Sequence, residues 1–203
     1  MKTPEGITGV IHGGAHLAEE MPEYLAAGVT HTLWIEPQAH LVAEMRRRYE
    51  SPEHRFAQCA LGAADGEASL FVASNSQSSS LLKPGAYLKA KHPSIGFPKR
   101  EIVKVGRLDD LIEPAARPLY QYLVLDLQGY ELEALKGATE VLKTLRYVRA
   151  EIATSAVYEG CALLGEMMKF MASTGYELVE HFVWPGYAEG EALWKKRTAN
   201  DGP

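Results

Sequence analysis

Three carboxylates close apolar, β-rich runs in this chain: Glu36 ends HTLWIE, Asp126 follows YLVL, and Glu151 lies near the end of YVRAEI. A carboxylate at the end of a buried strand sits where open α/β sheets bind their ligands. There it can accept hydrogen bonds from ribose hydroxyls, orient an acceptor or take up a proton. A glycine pair, Gly13 and Gly14, ends the run ITGVIH and leads into Ala15 and His16. Without a Cβ the backbone there can approach a ligand closely. Glu36 lies 22 residues beyond Gly14, near the separation at which nucleotide-binding folds place an acid for ribose.

Asp126 is the first candidate for taking a proton from an acceptor hydroxyl or orienting it, with Glu151 and His16 next. Each has a plainer role available: a salt-bridging acid for Glu151, a satisfied structural imidazole for His16. Glu131 opens a helix, where the helix dipole alone favours a carboxylate. The stretch from about residue 74 to 100 is the longest irregular one and carries SNSQSSSLLKPG. Long loops in compact domains often act as lids, so this one is expected to cover an acceptor, through Asn75, Ser76, Ser78, Ser79 and Ser80. Its Lys83, Lys89, Lys91, His92, Lys99 and Arg100 could meet an anionic acceptor such as a sugar nucleotide, the plainer role being a solvated basic loop. Tyr158, Trp184 and Tyr187 could stack on a ring, although such aromatics more often pack. The acids are scattered and no Cys/His spacing fits zinc, so no metal site is expected.

The elements that must position these residues alternate between strands and helices, as in βαβ units on a mostly parallel sheet. Strands are expected at Ile7–His12, His31–Glu36, Arg55–Leu61, Ala68–Ala73, Glu101–Val105, Tyr122–Leu127 and Tyr147–Ile152. Tyr176–Val183 and Ala192–Lys196 should form an antiparallel hairpin at the sheet edge. Helices are expected before Gly28 (with Pro22 in the first turn), at Ala39–Tyr49, Leu108–Ile112, Glu131–Lys136 and Leu164–Thr174.

The 203 residues fit a single domain, 1–203, and 46% hydrophobic residues suffice for one core. A net charge of −5 gives no general attraction for phosphate backbones, so nucleic acid is not an expected partner. Two cysteines far apart, Cys59 and Cys161, read as reduced thiols. No leader and no membrane-spanning run is seen, so a cytoplasmic protein is expected.

The motifs resemble the FkbM family of methyltransferases. The matching residues are IHGGAHLAEE (Ile11–Glu20), WIEP (Trp34–Pro37), SSSLL (Ser78–Leu82), VGRLDDL (Val105–Leu111), LDLQGYELEALKGA (Leu125–Ala138) and RAEI (Arg149–Ile152), and VYEGCA (Val157–Ala162) looks like a branch of the family. The resemblance implies a class I, Rossmann-like fold: a mostly parallel seven-stranded sheet with a C-terminal antiparallel hairpin and helices on both faces. It also implies S-adenosyl-L-methionine as cofactor and methylation of a hydroxyl on a small-molecule or glycan acceptor. Gly13, Gly14, Ala15 and His16 would then line the methionine side, Glu36 would hold the ribose, and Ala60 and Leu61 would flank the adenine. Asp126 would stand beside the cofactor, with Gln128 and Glu131 toward the acceptor. Where many members carry Asp, Asn, Gly and Glu, this chain has His12, His16, Ala18 and Gln128. Two other readings are a nicotinamide-dependent oxidoreductase, which the lack of a full G-x-G-x-x-G disfavours, and a non-catalytic Rossmann-like binding protein. A homodimer is compatible by analogy with small lidded catalytic domains.

Overall fold

The computed structural model describes residues 2–198. The chain runs β1 (Gly9–Gly13), α1 (Met21–Ala26), β2 (His31–Ile35), α2 (Ala39–Tyr49), β3 (His54–Ala57), β4 (Ala60–Leu61), β5 (Gly66–Val72), α3 (Ala86–Lys91) and β6 (Lys99–Gly106). It continues through α4 (Leu108–Leu111), β7 (Tyr122–Leu125), α5 (Glu131–Lys136), β8 (Tyr147–Ala153), α6 (Leu164–Ser173), β9 (Tyr176–Val183) and β10 (Glu189–Lys196).

The main sheet has seven strands in the order β3-β2-β1-β7-β8-β10-β9. The first five pair in parallel and β10 pairs antiparallel with both β8 and β9. This is the fold that the family resemblance implies. Alternation along the strands feeds two cores. Ile11, Leu33, Leu123 and Leu125 face one way, against Leu135 of α5 and Met167 and Met171 of α6. Val10, Trp34, Tyr122 and Val124 face the other, against Tyr24 of α1 and Val42 and Met45 of α2. With both faces covered, β7 is wholly buried, which is why it reads as a continuous apolar run.

Sequence reasoning places α2, α5 and β9 at their observed bounds and Pro22 in the first turn of α1. The expected strand Arg55–Leu61 is in fact two: β3 joins the main sheet, and β4 joins a separate three-stranded sheet, β4-β6-β5. Register against β2 ends at Ala57 and pairing with β6 begins at Ala60, a change of partner that local composition does not encode. The stretch expected to be irregular holds α3, whose buried Leu88 packs on Val157 and Tyr158. Among the described residues no helix is long and apolar enough to cross a membrane.

Candidate functional site

Strand order reverses between β1 and β7, and the carboxyl ends of these parallel strands open there together. Ligands of open α/β sheets bind at this switch point. Gly13 and Asp126 meet across it, the Asp126 N–H donating to the Gly13 carbonyl at 3.0 Å. The loop after β1 is tied down by its own donors. The Gly14 and Ala15 N–H groups both donate to the Ile35 carbonyl (3.0 and 3.1 Å), and the His16 N–H donates to Glu36 Oε2 (3.1 Å). The Leu17 N–H donates to Glu19 Oε2 at 3.1 Å. These amides are therefore not a cradle for a pyrophosphate, as a nicotinamide dinucleotide would require. The loop acts through its shape. Every positive-φ residue other than glycine among those described borders it or faces it: His16 (φ 44°), Ala18 (φ 56°), Ser76 (φ 57°) and Gln128 (φ 54°). Such strain persists where surrounding structure fixes it, and it gathers at ligand sites.

A pocket of about 560 Å³ lies between this loop, the end of β2 and residues 76–81. In its wall Glu36, 5% exposed, accepts the Gln38 N–H at Oε1 (2.9 Å) as well as the His16 N–H. Burial pushes the Glu36 carboxyl above its usual range, with the two backbone donors opposing that shift. The pocket's apolar wall is made by Cys59, Ala60, Leu61, Leu70 and Leu81, and Asp126 also lines it.

Asp126 is the junction of the site. It also lines an open cleft of about 740 Å³ with Ala15, Asn75, Ser78 and Gln128, and a polar chamber of about 350 Å³ with Glu20, Arg149, Glu151 and Trp184. Gln128 Nε2 donates to both Asp126 Oδ1 (2.6 Å) and Glu151 Oε2 (3.0 Å). The Tyr158 hydroxyl lies 2.9 Å from Gln128 Oε1 and 3.0 Å from the Ser78 carbonyl, and its one proton serves these acceptors. Asp126 and Glu151 thus flank the same Gln128 amide nitrogen, each accepting from it. Burial, followed by the facing Asp126, raises the Glu151 carboxyl well above the usual range. Asp126 also shifts upward through burial, held back by the Gln128 hydrogen bond, and it stays open to solvent on its cleft side. The negative charge of either acid opposes ionisation of the other, as in close carboxyl pairs.

Glu131 faces elsewhere. Its Oε1 accepts the N–H groups of Leu127 (2.8 Å) and Gly129 (3.2 Å), and it lines a smaller cavity with Glu151 and Tyr158. It thereby fixes the turn that carries Gln128. Burial pushes its carboxyl from 4.5 up to about 7. A raised acid binds its proton more tightly in the folded chain, so its contribution to stability is complete below 4.5 and is lost as pH rises to about 7. Glu131→Gln keeps an acceptor oxygen for both N–H groups and cannot titrate. Melting temperatures measured from pH 4 to 8 should fall less steeply with pH in this variant; an unchanged slope would show that Glu131 does not titrate in that window.

His12, which stands where many relatives carry Asp, stacks on Trp34 (centroids 4.9 Å apart) and has Nδ1 2.9 Å from the Tyr24 hydroxyl. Burial, then Arg149, pushes its pKa down to about 3, so it is a neutral packing residue. His16 bridges Glu19 Oε1 through Nδ1 (2.6 Å) and Ser76 Oγ through Nε2 (2.7 Å), which links the loop after β1 to the segment covering the pocket.

Of the residues singled out from sequence, Gly14, His16, Glu36, Ala60, Leu61, Ser79, Ser80 and Asp126 line the 560 Å³ pocket. Ala15, Asn75, Ser78 and Gln128 line the open cleft, while Gly13 is buried at the end of β1. Segment 76–81 lines the Glu36 pocket as well as the cleft, which is more than the acceptor lid expected of it. Of the basic residues offered to an anionic acceptor only His92 lines one of these cavities, beside Trp184 and Tyr187. Acidic side chains surround the chamber instead, with Arg149 among them. Gln38, Glu20, Tyr130 and Arg149 are site residues that sequence reasoning missed. Gln38 alone carried a signal there, since it follows Glu36 and Pro37 at the start of α2.

A family model described as "Methyltransferase FkbM domain" matches residues 12–178. The 2-O-methyltransferase NoeI of Sinorhizobium fredii (strain NBRC 101917 / NGR234) is 31% identical over 91 residues, 45% of this chain and 36% of that protein. The matched stretch thus spans about a third of that relative's length. Among solved structures, magnesium protoporphyrin IX methyltransferase (ChlM) from Synechocystis PCC 6803 with bound SAM is similar with a TM-score of 0.53 at 12% identity, over 95% of this chain and 71% of that one. A structure from Listeria monocytogenes described as a putative S-adenosylmethionine dependent methyltransferase gives 0.56 at 10% identity, over 97% and 94%. At these identities the likeness is one of fold.

Proposed function

Because the chain belongs to the FkbM methyltransferase family, we propose that it transfers a methyl group from S-adenosyl-L-methionine to a hydroxyl oxygen of a small-molecule or glycan acceptor. The observation that carries this reading is the position of Asp126, at the one place where the Glu36 pocket, the cleft and the polar chamber meet. The residues present suit the cofactor. Glu36 offers buried carboxylate oxygens to a ribose, Ala60 and Leu61 offer an apolar slot to an adenine, and the acids Glu19, Glu20 and Asp126 suit the cationic methionine end.

When bound, the cofactor supplies an electrophilic methyl group on a sulfonium, and displacement by oxygen sends the C–S electron pair to sulfur. The protein's work is to place the acceptor oxygen in line, exclude water and take the proton. Asp126 accepts the acceptor's hydroxyl proton in its ionised form. Gln128 donates to that carboxylate and to Glu151, and burial with the facing Asp126 favours the protonated form of Glu151. The raised Asp126 carboxyl is a stronger base than an ordinary aspartate, which brings it closer to the operating pH. His16 and Ser76 hold the covering segment in place.

Calorimetric titration with S-adenosylhomocysteine and with NAD tests the cofactor directly. Micromolar binding of the first alone is expected, and binding of NAD alone would overturn the reading. Glu36→Ala should weaken S-adenosylhomocysteine by about 1–3 kcal/mol, the cost of leaving buried hydroxyls unpaired. Unchanged affinity in a folded variant would remove Glu36 from the ribose site. Transfer of a labelled methyl group to a panel of hydroxylated acceptors then tests turnover.

A further inference from the structure

Gln38 precedes α2 as its N-cap and is only 2% exposed, yet its Oε1 is buried without a hydrogen-bond partner. It lines the 560 Å³ pocket beside Glu36. The orientation of the amide is fixed by its surroundings. Nε2 lies 3.5 Å from Glu36 Oε1, and a flipped amide would set two acceptor oxygens against each other. A buried acceptor left unpaired is costly, and natural interiors leave few of them. An orphan oxygen in the wall of a ligand pocket is therefore one that a ligand donor completes.

Glu36 already receives two backbone N–H groups, one on each oxygen. A vicinal diol brings two donors side by side, about 3 Å apart, to a carboxylate with one lone-pair site left on each oxygen. The neighbouring Gln38 oxygen is a further acceptor beside it and has no donor of its own. We propose that Gln38 is a cofactor-binding residue, with its amide oxygen accepting one hydroxyl of the ribose diol while Glu36 accepts the other. The inference rests on the cofactor reading above. It makes ribose recognition a two-residue device and gives the site a means of rejecting deoxynucleosides, because a missing hydroxyl would leave a buried acceptor unpaired.

The test is calorimetric titration of the whole chain with S-adenosylhomocysteine and with its 2′-deoxy and 3′-deoxy analogues, for wild type, Gln38→Leu and Gln38→Met. Both variants keep the Gln38 backbone donor to Glu36, and circular dichroism reports whether each is folded. Both should bind S-adenosylhomocysteine about tenfold more weakly than wild type. The analogue that lacks the hydroxyl held by Gln38 should lose nothing further on either substitution, while the other analogue should lose about as much as the parent. Wild-type affinity in either folded variant would overturn the assignment, and so would an equal loss for all three ligands. If wild type bound no S-adenosylhomocysteine, the cofactor reading would fall with it, whereas failure of the Gln38 pattern alone would leave that reading standing.

Discussion

Asp126→Asn should lower the rate of methyl transfer by about 10²–10⁴ while changing affinity for S-adenosylhomocysteine by only a few fold. The substitution is close to isosteric. Asn can keep an oxygen toward Gln128 Nε2, which donates to Asp126 Oδ1 in the native chain, so the turn should hold its shape. What disappears is the proton acceptor at the junction of pocket and cleft. The pH profile carries a second signature. In the native chain activity should fall as pH drops and the ionised member of the Asp126–Glu151 pair takes up a proton; in the variant that limb belongs to Glu151 alone and should move. Single-turnover transfer of a labelled methyl group, read across pH, measures both. Native rates in Asp126→Asn would assign proton removal to another group or to solvent.

Gly14→Ala should be the most damaging single methyl group that can be added to the site. Gly14 sits at φ 78°, and a Cβ built there lies 1.8 Å from the Asp126 carbonyl oxygen and 2.8 Å from its carbon. Backbone atoms of two paired strands cannot yield as a side chain would. The substitution must spread β1 from β7 where Asp126 N–H donates to the Gly13 carbonyl. A loss of about 3 kcal/mol or more is expected, which for a domain of this size lowers Tm by roughly 6–12 °C. Cofactor affinity should fall further than stability alone explains, because the same shift displaces Asp126 and the His16 N–H that supports Glu36. A variant that melts and binds like the native chain would show that the loop after β1 can relocate freely.

The two predictions rest on features of unequal visibility in the sequence. The glycine pair, Glu36 and the YLVLDL run were readable because their types are demanded by backbone geometry and by burial on two faces. The site acids Asp126 and Glu151 were readable as strand-end carboxylates, but nothing in their spacing said that Gln128 would join them. That depends on the left-handed turn at Gln128 and Gly129, and on β7 and β8 lying side by side. Gln128 was assigned toward an acceptor; it lines the cleft, and its amide donates to two carboxyls. Glu131 was likewise assigned toward the acceptor and instead caps the backbone of the same turn.

The sequence by itself determined the alternation of strands and helices, the core-facing stripes and the chemical types gathered at the strand ends. These follow from local periodicity and from the conformational limits of single residues. Only the tertiary structure decided the change of sheet between Ala57 and Ala60, the orphan oxygen of Gln38 and the Gln128 amide set between Asp126 and Glu151. Each of these arises from contacts between segments far apart in the chain. The free energy of a buried polar group is set by the neighbours that enclose it, and those neighbours exist only once the sheet has formed.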